Sequence, residues 1–294
     1  MPRDSTRHTL LVATVLCVVC SVLVSGAAVG LRGTQDANRL LDRQKNVLSV
    51  SGLLHTPGSN GALGSSETRN THADISQLFK SSVKQQLIDL ATGEAVDPTK
   101  VDPTTYNPRA AAKDPKQSLL IPPDKDLAGI HQREKYAFVY IIKKNKKIVQ
   151  IVLPVYGKGL WSTLYGFLAL DADTTTVQGI TFYDEAETPG LGGEITNPTW
   201  QALWKGKKIF GSQGKVAFRV IKGTVDENSP QASHQVDGLS GASITSRGVS
   251  NLVRYWLGPD GFGPYLKKFR ERNQNRPKAS GLTYHTCPTG GNHG

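Results

Sequence analysis

Cysteine is scarce, with three residues in 294. Cys17 and Cys20 sit in an apolar run and Cys287 near the end of the chain, which excludes a disulfide-stapled scaffold and any zinc-ribbon or zinc-finger spacing. Apolar residues are few for a compact enzyme, at 38%, and charged residues stop at 20%. The difference is made up by 30 glycines, 16 prolines and small polar residues, a balance that predicts a folded part diluted by loops. Signature motifs are missing too. There is no H-E-x-x-H, no G-x-S-x-G, no P-loop and no G-x-G-x-x-G after a strand. His55, His72, His131 and His234 show no paired spacing. The net charge of +11 admits nucleic acid, anionic lipid or a small anion as partner. No RNP aromatics and no basic heptad helix accompany it, so no nucleic-acid partner is expected. The densest basic cluster, Lys143 to Lys147, reads as a solvated hairpin turn.

Residues 9–31 carry no charge at all. As a helix rising about 1.5 Å per residue they span about 35 Å, enough for a hydrocarbon core of roughly 30 Å. A cleaved signal peptide is the other reading, with Ser25-Gly26-Ala27 as an acceptable cleavage site. Either way the rest of the chain leaves the cytoplasm. Arg3 and Arg7 precede the run, and Arg32, Arg39, Arg43 and Lys45 follow it, so charge counting does not fix the orientation of so long a following domain. Cys17 and Cys20 form a C-x-x-C, but in an apolar helix two thiols one turn apart read as small packing residues.

Beyond the apolar run, residues 35–50 predict a juxtamembrane helix continuing from the anchor. Residues 52–70, rich in Gly, Ser and Asn, predict a loop. Leu78, Phe79, Val83, Leu87 and Ile88 have helical spacing, so residues 75–90 predict a helix. Six prolines then fall between Pro98 and Pro123, four of them after Asp or Asn, which predicts a wrapping arm of turns. The dense region follows. Strands are expected at 136–142, 148–153, 164–170, 177–183 and 216–221. Asn197-Pro198 opens a short helix with Trp200, Leu203 and Trp204 on its buried face. Val249, Leu252, Val253 and Trp256 mark a second amphipathic helix. Strands and helices mix without βαβ alternation, so the fold class is α+β. The expected division is an N-terminal stub and transmembrane helix (1–32), juxtamembrane helices and Pro-rich arm (33–130), a ligand-binding domain (131–272) and a polar, loose tail (273–294). A metal site from His285, Cys287 and His293 in that tail is not expected.

Three stretches carry chemical information. Asp237 to Ser246 reads D-G-L-S-G-A-S-I-T-S and runs into the amphipathic helix. Small residues, hydroxyls and a helix N-terminus suit a phosphate, bound or esterified. An ordinary helix cap is the competing reading. Glu187 to Glu194 reads E-T-P-G-L-G-G-E, a Pro-Gly turn followed by glycines that admit a flat ligand, or simply a long loop. Tyr156 to Gly166 reads Y-G-K-G-L-W-S-T-L-Y-G, in which Trp161 and Tyr165 either flank a planar ring or belong to the core.

Taken in order, an N-terminal apolar helix, Gly157-Lys158-Gly159-Leu160-Trp161, the Glu187 to Gly192 stretch and the Asp237 to Ser243 stretch resemble the NqrC family, a flavin-carrying subunit of the Na+-translocating NADH:quinone reductase. That family carries covalent FMN. The resemblance implies a membrane-anchored, single-pass flavoprotein subunit of the bacterial inner membrane with its mixed sheet-and-helix domain on the periplasmic side. That subunit relays single electrons during NADH oxidation coupled to quinone reduction and Na+ export. It implies an FMN phosphate esterified to Ser243, where the family usually has Thr, with Thr245 as the fallback acceptor. Ser240, Gly241 and Ala242 complete the attachment turn. Thr188, Gly190, Leu191, Gly192 and Trp161 are expected near the isoalloxazine. The implied partners are the other subunits of the complex, the membrane, and a separate Mg2+-dependent flavin transferase that uses FAD. No NADH oxidation is expected of this chain alone. Two other readings stay open: the related flavin subunit of an Rnf-type ferredoxin:NAD+ complex, and a non-redox anchored binding module.

Overall fold

The computed structural model describes residues 6–54, 72–145 and 147–274. The loop expected at 52–70 falls almost wholly outside the described residues, as do Lys146 and nearly all of the tail with His285, Cys287 and His293. In chain order the elements are α1 (Thr6–Val50), α2 (His72–Ser82), β1 (Val83–Asp89), α3 (Pro108–Ala111), β2 (Ser118–Leu120), β3 (Gln132–Glu134), β4 (Tyr136–Lys144), β5 (Lys147–Lys158), β6 (Thr163–Asp171) and β7 (Val177–Asp184). Then come α4 (Pro198–Ala202), β8 (Arg219–Val220), β9 (Gln235–Val236), α5 (Ser243–Trp256) and α6 (Gly263–Gln274).

The centre is an antiparallel sheet in the order β1-β4-β5-β6-β7. Alternate residues of a strand point to opposite faces. In β4, Ala137, Val139 and Ile141 enter one core while Phe138, Tyr140 and Ile142 enter another. The strand is apolar on both sides because both sheet faces are covered. On the first face lie α5, α6 and α4, with Trp204, Val249, Leu252, Val253 and Trp256 buried. On the second lie the last turns of α1 (Val47, Leu48, Val50) and the face of α2 that carries Ile75 and Phe79. Trp256 anchors α5 to the sheet, its indole N–H donating to the Tyr156 carbonyl at 2.6 Å.

α1 is one continuous helix that carries the apolar run straight into the juxtamembrane segment. It is long and apolar enough to cross a membrane, and its most apolar window is wholly exposed. The hydroxyls within the run are satisfied internally, Thr14 donating to the Leu10 carbonyl and Ser21 to that of Cys17.

Several expectations are corrected. The helix expected over 75–90 ends at Ser82, and residues 83–89 are a strand. Their spacing also fits a half-buried strand, and β1 covers the open edge of β4 from Val83↔Ile142 to Asp89↔Tyr136. The strand expected at 216–221 shrinks to Arg219–Val220, which pairs in parallel with β9 outside the main sheet. Leu203 is exposed and only Trp200 and Trp204 are buried, because α4 is too short to present three residues to the core. The Pro-rich arm is indeed a series of turns. Asp97, Asp102, Asn107 and Asp114, each preceding a proline, accept the backbone N–H two residues on through a side-chain oxygen, at 2.8–3.1 Å. Arg109 of this arm lies 3.6 Å over the Tyr165 ring and pairs with Asp184.

Candidate functional site

The three stretches are far apart in sequence and meet at one carboxylate. Glu187 follows β7 and is buried. Its oxygens accept the backbone N–H groups of Leu160, Trp161 and Ser162 at 2.9–3.0 Å, and the Ser162 hydroxyl at 3.0 Å. They also accept the Thr245 hydroxyl of α5 at 2.7 Å, from 58 residues away. Burial pushes the Glu187 carboxyl up. The Thr245 hydroxyl and the three loop N–H groups outweigh it and hold the group below its ordinary value.

The rest of the Glu187 stretch is a tight turn. Leu191 N–H donates to the Thr188 carbonyl at 3.1 Å, with Pro189 and Gly190 between them. Gly190 has φ +74°, the left-handed conformation that the third position of a type II turn requires. This turn throws Leu191 onto the loop before α5, where a Cβ on Gly241 would lie 2.8 Å from Leu191 Cδ2. Gly241 is itself left-handed, at φ +70°. Gly192 is buried against Glu187 and Thr245. The structure therefore brings the stretches of Trp161, Thr188 to Gly192 and Ser240 to Thr245 together.

The two candidate hydroxyls differ sharply. Ser243 is exposed at the first position of α5. Thr245 is 1% exposed and already donates to Glu187. The plain helix-cap reading fails, because the residue at the cap is Ala242 and no side chain caps the helix. Ser246 instead turns inward, its hydroxyl accepting the Leu239 N–H at 3.1 Å. The first-turn N–H groups thus keep their capacity for an anion.

A cleft of about 1050 Å³ runs beside Ser243. Arg219, Lys222, Arg247 and Arg254 line it against one acidic residue, Asp237, whose carboxylate accepts the Val225 N–H at 2.8 Å. Trp200 fixes the same loop through its indole N–H to the Asp237 carbonyl. The cleft wall at β8 is tied to α5 by Ser250, whose hydroxyl accepts the Val220 N–H at 2.8 Å. Around the start of α5 four large apolar side chains stay exposed: Leu160, Trp161, Leu191 and Ile244. Trp161 is 68% exposed and so no core residue. Tyr165 does not join it: Tyr165 lies on β6, stacked on Tyr156 at 5.4 Å, since four residues along a strand are not one turn of a helix. An exposed hydroxyl, cations beside it and apolar side chains around it fit a phosphate joined to a flat ring.

Sequence reasoning singled out the three stretches that meet here but missed the role of Glu187 and the cationic wall. Glu187 sits at the head of a glycine-rich stretch, and its position there was the only available signal. Arg247, one helical turn beyond Ser243, was readable from helix spacing once α5 was assigned.

Fold and site together define a flavin-binding α+β domain carried on one long apolar helix, and residues 159–258 match the FMN-binding domain family. The chain is 48% identical over 269 residues to the NqrC subunit of the Na(+)-translocating NADH-quinone reductase of Pseudomonas aeruginosa, covering 92% of this chain and 98% of that one. The corresponding subunit of Yersinia pestis is 46% identical, over 92% and 95% of the two chains. The solved structure of Shewanella oneidensis NqrC superposes with a TM-score of 0.66 at 34% identity, over 81% of this chain and 99% of that one. The chain belongs to the NqrC family of Na(+)-translocating NADH-quinone reductase subunits.

Proposed function

We propose that this chain is the membrane-anchored flavoprotein subunit of a Na+-translocating NADH:quinone reductase, with FMN esterified to Ser243. The observation that carries the reading is the meeting of all three motif stretches around Glu187 beside an exposed Ser243. Family membership supplies the assembly: the other subunits of the complex are its partners, a flavin transferase loads it, and α1 holds it in the inner membrane with the domain on the periplasmic side. The flavin, when bound, supplies the one-electron chemistry. The protein's part is to hold it. Ser243 fixes the phosphate end, so that the cofactor does not dissociate. The α5 N-terminus and the cleft cations Arg247, Arg219, Arg254 and Lys222 offset the phosphate charge. Leu160, Trp161, Leu191 and Ile244 offer apolar surface to the ring. None of these groups transfers a proton, in keeping with a subunit that passes electrons and leaves NADH oxidation to its partners.

The test is intact mass with peptide mapping on protein from a host containing the flavin transferase. The expected result is one esterified FMN on the peptide containing Ser243, lost in Ser243→Ala. Flavin on Thr245, or no flavin on the native chain, would overturn the assignment.

A further inference from the structure

Resting on the reading that Ser243 accepts the flavin, we infer that Glu187 is the positioning residue that selects this acceptor and sets its attack geometry. Two hydroxyls, Ser243 and Thr245, stand two residues apart on α5. At 3.6 residues per turn they point about 200° apart, so a helix presents one and hides the other. Which one faces out depends on the rotation of the first turn. The cap does not set that rotation, since Ala242 offers no side-chain bond. Glu187 does: its carboxylate accepts the Thr245 hydroxyl at 2.7 Å and keeps that residue turned inward. The same carboxylate holds the Leu160 to Ser162 N–H groups. One buried anion therefore locks the first turn of α5 against the loop bearing Trp161 and leaves Ser243 outside.

Attachment from FAD forms a bond between Ser243 Oγ and the flavin-side phosphorus and breaks the pyrophosphate P–O bond. AMP departs, the serine proton passes to a base of the transferase, and no electrons are exchanged. Such a displacement depends on alignment, and a misplacement of about 1 Å costs on the order of 100-fold. Glu187→Gln keeps one acceptor oxygen but turns an NH2 toward groups that are themselves donors. The acceptor turn then loses its fixed place while the surface that meets the transferase is kept.

The full-length chain, in detergent, is incubated with transferase, FAD and Mg2+, and flavin incorporation is followed by mass with peptide mapping. Glu187→Gln is expected to lower the incorporation rate by about 10- to 100-fold, in kcat rather than in KM. Thr245→Val, which removes only the donor to Glu187, is expected to slow it less. The double variant is expected to match Glu187→Gln within about twofold, because both changes break one link. A purely structural role gives additive losses that track the unfolding midpoint. Native rates in Glu187→Gln, or additive losses in the double variant, overturn the inference while leaving Ser243 as acceptor. Flavin appearing on Thr245 of Ser243→Ala with Glu187 intact also overturns it. A native chain that never takes flavin fails the underlying reading instead, and is told apart by the unmodified protein alone.

Discussion

Replacing Glu134 by Gln isolates the cost of one buried carboxyl. Glu134 ends β3 and is 3% exposed. It lines a cavity of about 430 Å³ between α1, the Pro-rich arm and the sheet. Burial pushes its pKa up to about 7 from the ordinary 4.5, against the Tyr156 hydroxyl that donates to it at 2.5 Å and the nearby Arg133. An acid whose pKa is raised on folding binds its proton more tightly in the native state. It costs nothing at low pH, where both states are protonated. The cost grows from about pH 4.5 to 7 and is full above that, at about 3 kcal/mol. Gln keeps the acceptor for Tyr156 and cannot ionise. Urea unfolding of the full chain in detergent, followed by tryptophan fluorescence, gives both stabilities. Relative to the difference at pH 4, the gap should widen by about 3 kcal/mol in favour of Glu134→Gln by pH 8. Glu187 titrates with the opposite sign, stabilising above its unfolded pKa, but it is common to both proteins and cancels. A gap that stays flat with pH, or that comes to favour Glu at pH 8, refutes the reasoning.

Two further predictions concern how the site is supported. Ser250→Ala leaves the buried Val220 N–H without its partner, which should cost about 1–3 kcal/mol and lower the thermal midpoint by roughly 2–4 °C per kcal/mol. Faster amide exchange at Val220 checks that the loss is local to the cleft wall. Leu48 is fully buried between α1 and the sheet, and Leu48→Ala should cost about 2–5 kcal/mol. The change should appear as faster exchange at residues 45–50 while α5 keeps its protection.

Local pattern alone determined much of this protein. The uncharged run of residues 9–31, the strands from Tyr136 to Tyr183, the Asx-Pro turns and the amphipathic helix ending at Trp256 all depend on neighbours within about one turn or one hairpin. Such signals are written in consecutive residues, which is why type and approximate bounds follow from the chain itself. Residues 83–89 were decided by tertiary structure: their spacing suits either a helix or a strand, and the open edge of β4 chose the strand. So was the short β8, which pairs with β9 instead of joining the main sheet. The site shows the same division most clearly. Its stretches were legible as small, glycine-rich and hydroxyl-rich, but nothing in them says that Thr245 points inward and Ser243 outward. That follows from a bond between residues 58 apart. A carboxylate is buried only where enough donors converge on it, and that convergence exists only once the sheet and α5 have packed.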